Sequence, residues 1–292
     1  MGKKILILGA AGNLGSQLVK FFEAGNELIL WDRKDVDVLD FDLLREKIRE
    51  NKPNIIFNCV AYNAVDKCEQ DETEFEIAKK LNGELAGVLA DLALELDSVL
   101  VHYVSDYVFA GDKKEGYAET DKTNPVSNYG ISKEMGETEI FKRAGEGLKY
   151  YLIRTSKLFG PKGPSEASKE SFFDLILRLS ATQKEFKMVD GEEISFFTYT
   201  VDLAQATKVL VDSYEGQYGV YHIVNEEPAS WYDGAKYMFE ILNIKDINLI
   251  PVKSEEFSRP AKRPKYSLLL NTKFIKLRSY KEALREYLLG DL

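Results

Sequence analysis

Residues 9–15 read Gly-Ala-Ala-Gly-Asn-Leu-Gly, directly after the apolar run 5–8 and directly before an amphipathic stretch. No other feature restricts the fold of this chain as strongly. Glycines at this place permit a tight strand-to-helix turn. They also let backbone N–H groups approach an anion at the positive end of the following helix. A glycine triplet alone is weak evidence, and an ordinary turn is the competing reading. Its position between strand and helix points instead to a dinucleotide-binding turn.

The rhythm around the turn agrees. Over the first 155 residues, apolar runs at 4–8, 27–31, 54–58, 98–104 and 150–155 alternate with helical patterns near 13–24, 41–51, 72–96 and 127–144. Continuously apolar runs suit a parallel sheet covered on both faces. The predicted class is α/β, a Rossmann-like doubly wound parallel sheet with ligands at the carboxyl ends of its strands. After Arg154 the pattern changes. Residues 160–169 carry two prolines and two glycines and read as a loop. Then come a helix at 171–182, a strand at 186–189, a helix at 201–214, a strand at 219–224 and a helix at 231–242. A basic, proline-containing loop (258–265) and a last helix near 280–289 complete the chain. The expected division is a dinucleotide-binding domain over 1–158 and a smaller C-terminal substrate-binding lobe over 159–292. Elements around 195–225 are expected to return to the first sheet.

Composition removes whole classes of function. The 292 residues hold 39 basic and 48 acidic side chains, a net charge of −9, which argues against a nucleic-acid-binding surface. A local cationic pocket for a small anion remains compatible with that charge. Cys59 and Cys68 form no Cys-x-x-Cys pattern and suit reduced thiols in a cytoplasmic protein. The two histidines, His102 and His222, lie near no second soft ligand, so no metal is expected. No stretch approaches the roughly 18 apolar residues of a membrane span, and Gly9 ends the first apolar run too early for a signal peptide.

Candidate site residues follow from the strand ends. Asp32 lies 20 residues after Gly12, where an acid meets the adenosine ribose hydroxyls; capping a turn is its alternative role. Arg33 could neutralise a 2′-phosphate, so the pair leaves NAD and NADP open. Tyr129 and Lys133, four apart, share one helix face. A nearby cation favours phenolate, which predicts a tyrosine pKa below the usual value of about 10. Such a phenol passes a proton to or from a substrate oxygen near neutral pH. Ser105, at the end of the fourth predicted strand, reaches the same cleft. In this reading Ser105 binds the substrate oxygen, Tyr129 moves its proton, and Lys133 holds the phenol and the nicotinamide ribose.

The stretches Ala61-Tyr-Asn-Ala-Val-Asp-Lys-Cys-Glu69, Ser105-Asp-Tyr-Val-Phe109, Asn124-Pro-Val-Ser-Asn-Tyr-Gly-Ile-Ser-Lys133, Arg154-Thr-Ser156, Ser230-Trp-Tyr232 and Arg259-Pro-Ala-Lys-Arg-Pro264 run almost end to end. In them the chain resembles the extended short-chain dehydrogenase/reductase superfamily and, within it, the dTDP-4-dehydrorhamnose reductase family. The resemblance implies reduction of the 4-keto group of a nucleoside-diphosphate-linked deoxysugar with NADPH or NADH, as in dTDP-rhamnose and polysaccharide biosynthesis. It puts Gly12, Asn13 and Leu14 along the pyrophosphate, with Gly9 and Gly15 shaping the turn. Asp32 meets the adenosine ribose, and Asp40 and Phe41 border the adenine. Ala61, Tyr62, Asn63 and Tyr103 line the cofactor, while Ser105 and Asp106 touch the sugar. Dehydratases of the superfamily carry a glutamate where this chain has Tyr107, so dehydration is not expected.

Departures cluster on the sugar-nucleotide side. Lys157 stands where the family usually has tryptophan, residues 160–173 are longer, and Ser195-Phe-Phe-Thr198 replaces a Gly-x-Pro-Thr segment. Lys157, Arg259 and Arg263 are expected at the sugar nucleotide, with Lys262 and Lys265 completing a basic loop; a solvated loop is the alternative. The expected partner is the sugar nucleotide, and a homodimer is compatible. Two rival functions share the fold. One is a non-catalytic NADP-binding regulatory subunit resembling the methionine adenosyltransferase beta subunit. The other is a sugar-nucleotide epimerase with tightly held NAD.

Overall fold

A computed structural model describes residues 2–166 and 168–290. In chain order the strands are β1 (Lys4–Leu8), β2 (Glu27–Trp31), β3 (Ile55–Asn58), β4 (Val99–Ser105), β5 (Lys149–Thr155), β6 (Leu158–Phe159), β7 (Glu185–Val189), β8 (Thr198–Tyr199), β9 (Gly219–His222) and β10 (Asn248–Val252). The helices are α1 (Asn13–Phe22), α2 (Phe41–Asn51), α3 (Val65–Gln70), α4 (Glu72–Ala78), α5 (Leu85–Glu95), α6 (Asn128–Ala144), α7 (Phe172–Ser180), α8 (Thr200–Ser213), α9 (Trp231–Ile241) and α10 (Tyr280–Leu289).

Six strands form one sheet in the order β2-β1-β3-β4-β5-β9, and every neighbouring pair in it is parallel. Strand residues alternate between faces. Leu6 and Leu8 therefore pack with Leu44, Leu85 and Leu100 on one side. Ile5 and Ile7 pack with Leu14, Leu18, Leu203 and Leu210 on the other. Strand order reverses between β1 and β3, so the crevice where such sheets bind ligands opens at their carboxyl ends. There Leu8 is in register with Asn58.

The remaining elements build a second core from Phe159, Phe173, Phe186, Phe197, Met238, Phe239 and Tyr280. It carries two short parallel pairs, β7 with β10 and β6 with β8. Of the stretch 195–225, α8 packs on α1 and β9 joins the main sheet beside β5. β8 stays with β6.

The helix expected at 72–96 is not continuous. A π-helical segment, Lys79–Glu84, separates α4 from α5. It lies where α6 approaches from elsewhere in the chain, so closely that a Cβ on Gly136 would meet the Asn82 carbonyl oxygen at 2.3 Å. Asn82 is fully buried at 0% exposure, with its amide on the Tyr62 backbone and the Ser132 hydroxyl. π-bulges of this kind often mark functional sites.

Candidate active site

At the carboxyl end of β1 the glycine turn has the geometry its sequence promises. Gly9 sits at φ +75°, and a Cβ on Gly15 would meet the Gly9 carbonyl oxygen at 2.1 Å. Gly12 begins α1 without a side-chain cap. The N–H groups of Asn13 and Leu14 therefore point forward without intrahelical partners, a ready seat for an anion. One Asp32 carboxylate oxygen accepts from the Ala11 N–H at 2.8 Å, so this acid does brace the turn while lying at the end of β2. Arg33 beside it is exposed. Asp40 caps α2 by accepting from the Leu43 N–H at 3.0 Å, and Phe41 opens that helix against the core.

The segment after β3 is fixed from the π-helical turn. Asn82 accepts from the Tyr62 N–H (2.9 Å) and donates to the Tyr62 carbonyl (3.0 Å). It donates again to the Ser132 hydroxyl (2.9 Å), which itself donates to the Tyr129 carbonyl (2.7 Å). One buried amide thus joins residues 61–63 to the start of α6. The Tyr62 phenol donates a hydrogen bond to Glu74. Asn63 accepts from the Tyr129 hydroxyl at 3.4 Å.

Ser105 closes β4, and Ser127 caps α6 by accepting from the Gly130 N–H at 3.2 Å. These two ends bring the Ser105 hydroxyl near enough to the Tyr129 phenol to act on its ionisation. Ser105 also donates to Asp106 at 3.0 Å and accepts from the Tyr107 N–H at 3.2 Å. Tyr129, 7% exposed, is enclosed by Tyr62, Val65, Cys68, Ala78 and Tyr107. The lowered phenol pKa expected from Lys133 does not appear. Burial pushes Tyr129 above its ordinary value, the nearby Ser105 hydroxyl opposes this, and the charges of Asp106, Tyr107 and Cys68 add to the rise.

Lys133 is engaged elsewhere. Its ammonium, 4% exposed, donates to the Tyr103 carbonyl at 3.5 Å, and burial pushes its pKa down to about 8. Among the described residues this carbonyl is its one acceptor, and an ammonium carries three donors, so the others fit the hydroxyls of a nicotinamide ribose. Tyr103 offers its carbonyl there, because its phenol donates to Thr207 on α8 at 3.0 Å. Together with the forward-facing N–H groups of α1, this donor set fits a dinucleotide.

On the far side of Ser105, Asp106 is buried and also accepts from the Ser267 hydroxyl at 2.5 Å. Burial raises its carboxyl pKa against those hydrogen bonds and the charge of Lys157. Lys157 itself adopts φ +37°. Its ammonium donates to the Glu193 and Ala229 carbonyls at 2.9 and 3.2 Å. It also lies 4.3 Å from the Trp231 ring centroid. Burial lowers its pKa to about 8, opposed by Asp106, Glu193 and Asp233. The basic loop is pinned in the same way. Arg259 forks onto Glu193, Arg263 onto Asp66 at 2.7 Å, and Lys265 pairs with Glu192 at 2.8 Å. Both arginines act electrostatically on Tyr107, whose ring meets Tyr129 edge-on at 5.5 Å. The loop is thus a braced wall of the cleft, with Lys262 facing outward.

Residues 3–290 match the family model described as RmlD substrate binding domain. The chain belongs to the RmlD family. It is 32% identical over 290 residues to the spore coat polysaccharide biosynthesis protein SpsK of Bacillus subtilis, covering 98% of this chain and 96% of that one. It is 33% identical over 282 residues to a dTDP-4-dehydrorhamnose reductase of Aggregatibacter actinomycetemcomitans, covering 92% and 91%. The crystal structure of dTDP-4-dehydrorhamnose reductase from Bacillus anthracis, in complex with NADP, aligns with a TM-score of 0.90 at 32% identity and full coverage of both chains. The family and the fold class expected from the motifs are those found.

Two residues of this RmlD-family cleft escaped the sequence reading. Asn82 was visible as a lone amide within an apolar helical pattern, the one signal available for it. Glu193, at φ +55°, gathers Arg259, the Trp231 indole N–H (3.1 Å) and the Ser254 hydroxyl (2.5 Å). Nothing in its local sequence marks it as a hub.

Proposed function

We propose that this chain reduces the 4-keto group of a deoxysugar carried on a nucleoside diphosphate, dTDP-4-dehydrorhamnose or a close relative, with NADPH or NADH. The observation that carries the reading is the convergence of Ser105, at the end of β4, with the buried Tyr129 and the buried Lys133 four residues on along α6. When bound, the reduced nicotinamide supplies the hydride. Ser105 and Tyr129 hold the keto oxygen, and Tyr129 donates its proton to the alkoxide as it forms. A phenol held above its ordinary pKa remains the acid this step needs. Lys133 offsets the charge left on the phenolate. Tyr107 stands where dehydratases of the superfamily carry a glutamate, which supports reduction over water elimination.

Arg259 and Arg263 are read as facing the diphosphate with the donors their carboxylate partners leave free. Residues 1–158 are read as the cofactor half and 159–292 as the sugar-holding half, except where α8 and β9 serve the sheet. No helix among the described residues is long and apolar enough to cross a membrane. The free cysteines Cys59 and Cys68 support a cytoplasmic setting, within polysaccharide-precursor synthesis. The test is a panel of nucleoside-diphospho-4-keto sugars, each offered with NADH and with NADPH while nicotinamide absorbance is followed. Oxidation of cofactor with a dTDP-linked 4-keto sugar supports the reading. Tight cofactor binding without turnover on any of them would favour a regulatory subunit.

A further inference from the structure

The long segment after β6 lies on the glycine turn. Gly163 donates its N–H to the Asn13 side-chain oxygen at 2.9 Å, and the Asn13 amide donates to the Lys169 carbonyl at 2.9 Å. The Asn13 side chain thereby ties both ends of the segment. Between those ties, the Ala11 carbonyl accepts from the Ser165 N–H at 3.0 Å and the Ser168 hydroxyl at 3.3 Å. The approach is so close that a Cβ on Gly163 would meet the Ala11 oxygen at 2.4 Å and the Gly12 carbonyl group at 2.5 Å.

The atoms used by this contact decide what it can do. The segment takes a carbonyl oxygen and a side-chain amide. An anion at the head of α1 takes backbone N–H groups, those of Asn13 and Leu14. The two demands fall on different atoms of the same turn, so both can be met at once. Lys162 and Lys169, both exposed, add positive charge at the two ends of the segment.

We propose that residues 162–166, with Ser168 and Lys169, form a strap over the pyrophosphate of the bound dinucleotide, latched by Asn13 and Ala11, and that cofactor leaves only after the strap lifts. The proposal rests on the reading of the Gly9–Gly15 turn as the dinucleotide seat. In the closed state the strap excludes water from the phosphates and slows release; opening breaks the Asn13 and Ala11 hydrogen bonds together.

The experiment follows NADPH fluorescence during displacement by excess NADP in the full chain and in Gly163→Val, with Ser168→Ala as a milder second variant. Gly163→Val, which cannot seat, should release NADPH about tenfold faster or more, with Ser168→Ala in between. Trypsin, cutting after Lys162 and Lys169, gives a readout independent of any variant's folding: NADPH should slow both cuts in the unmodified chain. Release rates within twofold of each other, together with cleavage indifferent to NADPH, would overturn the strap while leaving the dinucleotide site intact. Failure of NADPH to bind the unmodified chain would overturn both.

Discussion

Arg154 on β5 and Glu137 on α6 meet as a two-point ion pair at 2.7 and 2.6 Å, with side chains only 3% and 1% exposed. Arg154 also reaches the Glu119 carbonyl at 3.3 Å and lies 5.0 Å from the Phe109 ring centroid. The pair fixes α6, and with it Tyr129 and Lys133, against the sheet. Removing one partner strands the other charge in the interior. Glu137→Gln should therefore cost about 3–5 kcal/mol of stability, read as a lower urea midpoint at unchanged slope. A loss near zero would show that the pair carries no such role.

The glycine turn makes a second prediction. Because a Cβ on Gly15 would collide with the Gly9 carbonyl at 2.1 Å, Gly15→Ala must displace the turn that presents the Asn13 and Leu14 N–H groups. NADPH affinity should fall by about tenfold or more, while the far-UV spectrum and the fold of the second lobe persist. Calorimetric titration measures it, and unchanged affinity would separate this turn from the cofactor.

These contrasts show what the chain's linear pattern discloses. The strands and the glycine turn are legible because each depends on neighbours a few residues away: apolar continuity, and a φ or a close approach that glycine alone allows. Arg259 and Arg263 were expected at the sugar nucleotide, but their ion pairs were not legible, because the partners, Glu193 and Asp66, lie 66 and 197 residues off. The π-helical turn at Asn82 lies where Gly136 approaches from another helix, which no periodicity records. Tyr129 was expected to be acidified by Lys133. Spacing of four set their shared helix face correctly but said nothing of burial, which dominates the phenol.

Lys157 tests the sugar side. Its ammonium holds the Glu193 and Ala229 carbonyls under Trp231, and so positions the hub that orients Arg259. Lys157→Met keeps much of the volume and leaves both carbonyls without that donor, a cost of about 1–3 kcal/mol. The expected signature is a raised KM for the sugar nucleotide with kcat reduced less, and an NADPH affinity close to that of the parent. Equal kcat and KM for both chains would remove Lys157 from sugar recognition.

Tyr129→Phe should lose on the order of 100- to 10,000-fold in rate with cofactor affinity retained, measured by single-turnover oxidation of NADPH. A rate near that of the parent would remove Tyr129 from the proton transfer.

The pH dependence then isolates Lys133. Burial raises the Tyr129 pKa, so the acid stays protonated as pH rises past neutrality. Burial lowers Lys133 to about 8, so its charge is present below that pH and is lost above it. In the proposed mechanism the ammonium offsets the forming phenolate, so kcat at saturating substrates should hold below pH about 8 and decline above it. Lys157 also titrates near 8, but its ammonium binds backbone carbonyls of the second lobe rather than Tyr129. Lys157→Met should therefore keep the alkaline decline in kcat, whereas Lys133→Met should be nearly inactive at every pH. A kcat that stays level well above pH 8 in the parent would mean that Lys133 gives the phenolate no electrostatic support. Loss of the decline in Lys157→Met would assign the titration to the sugar side.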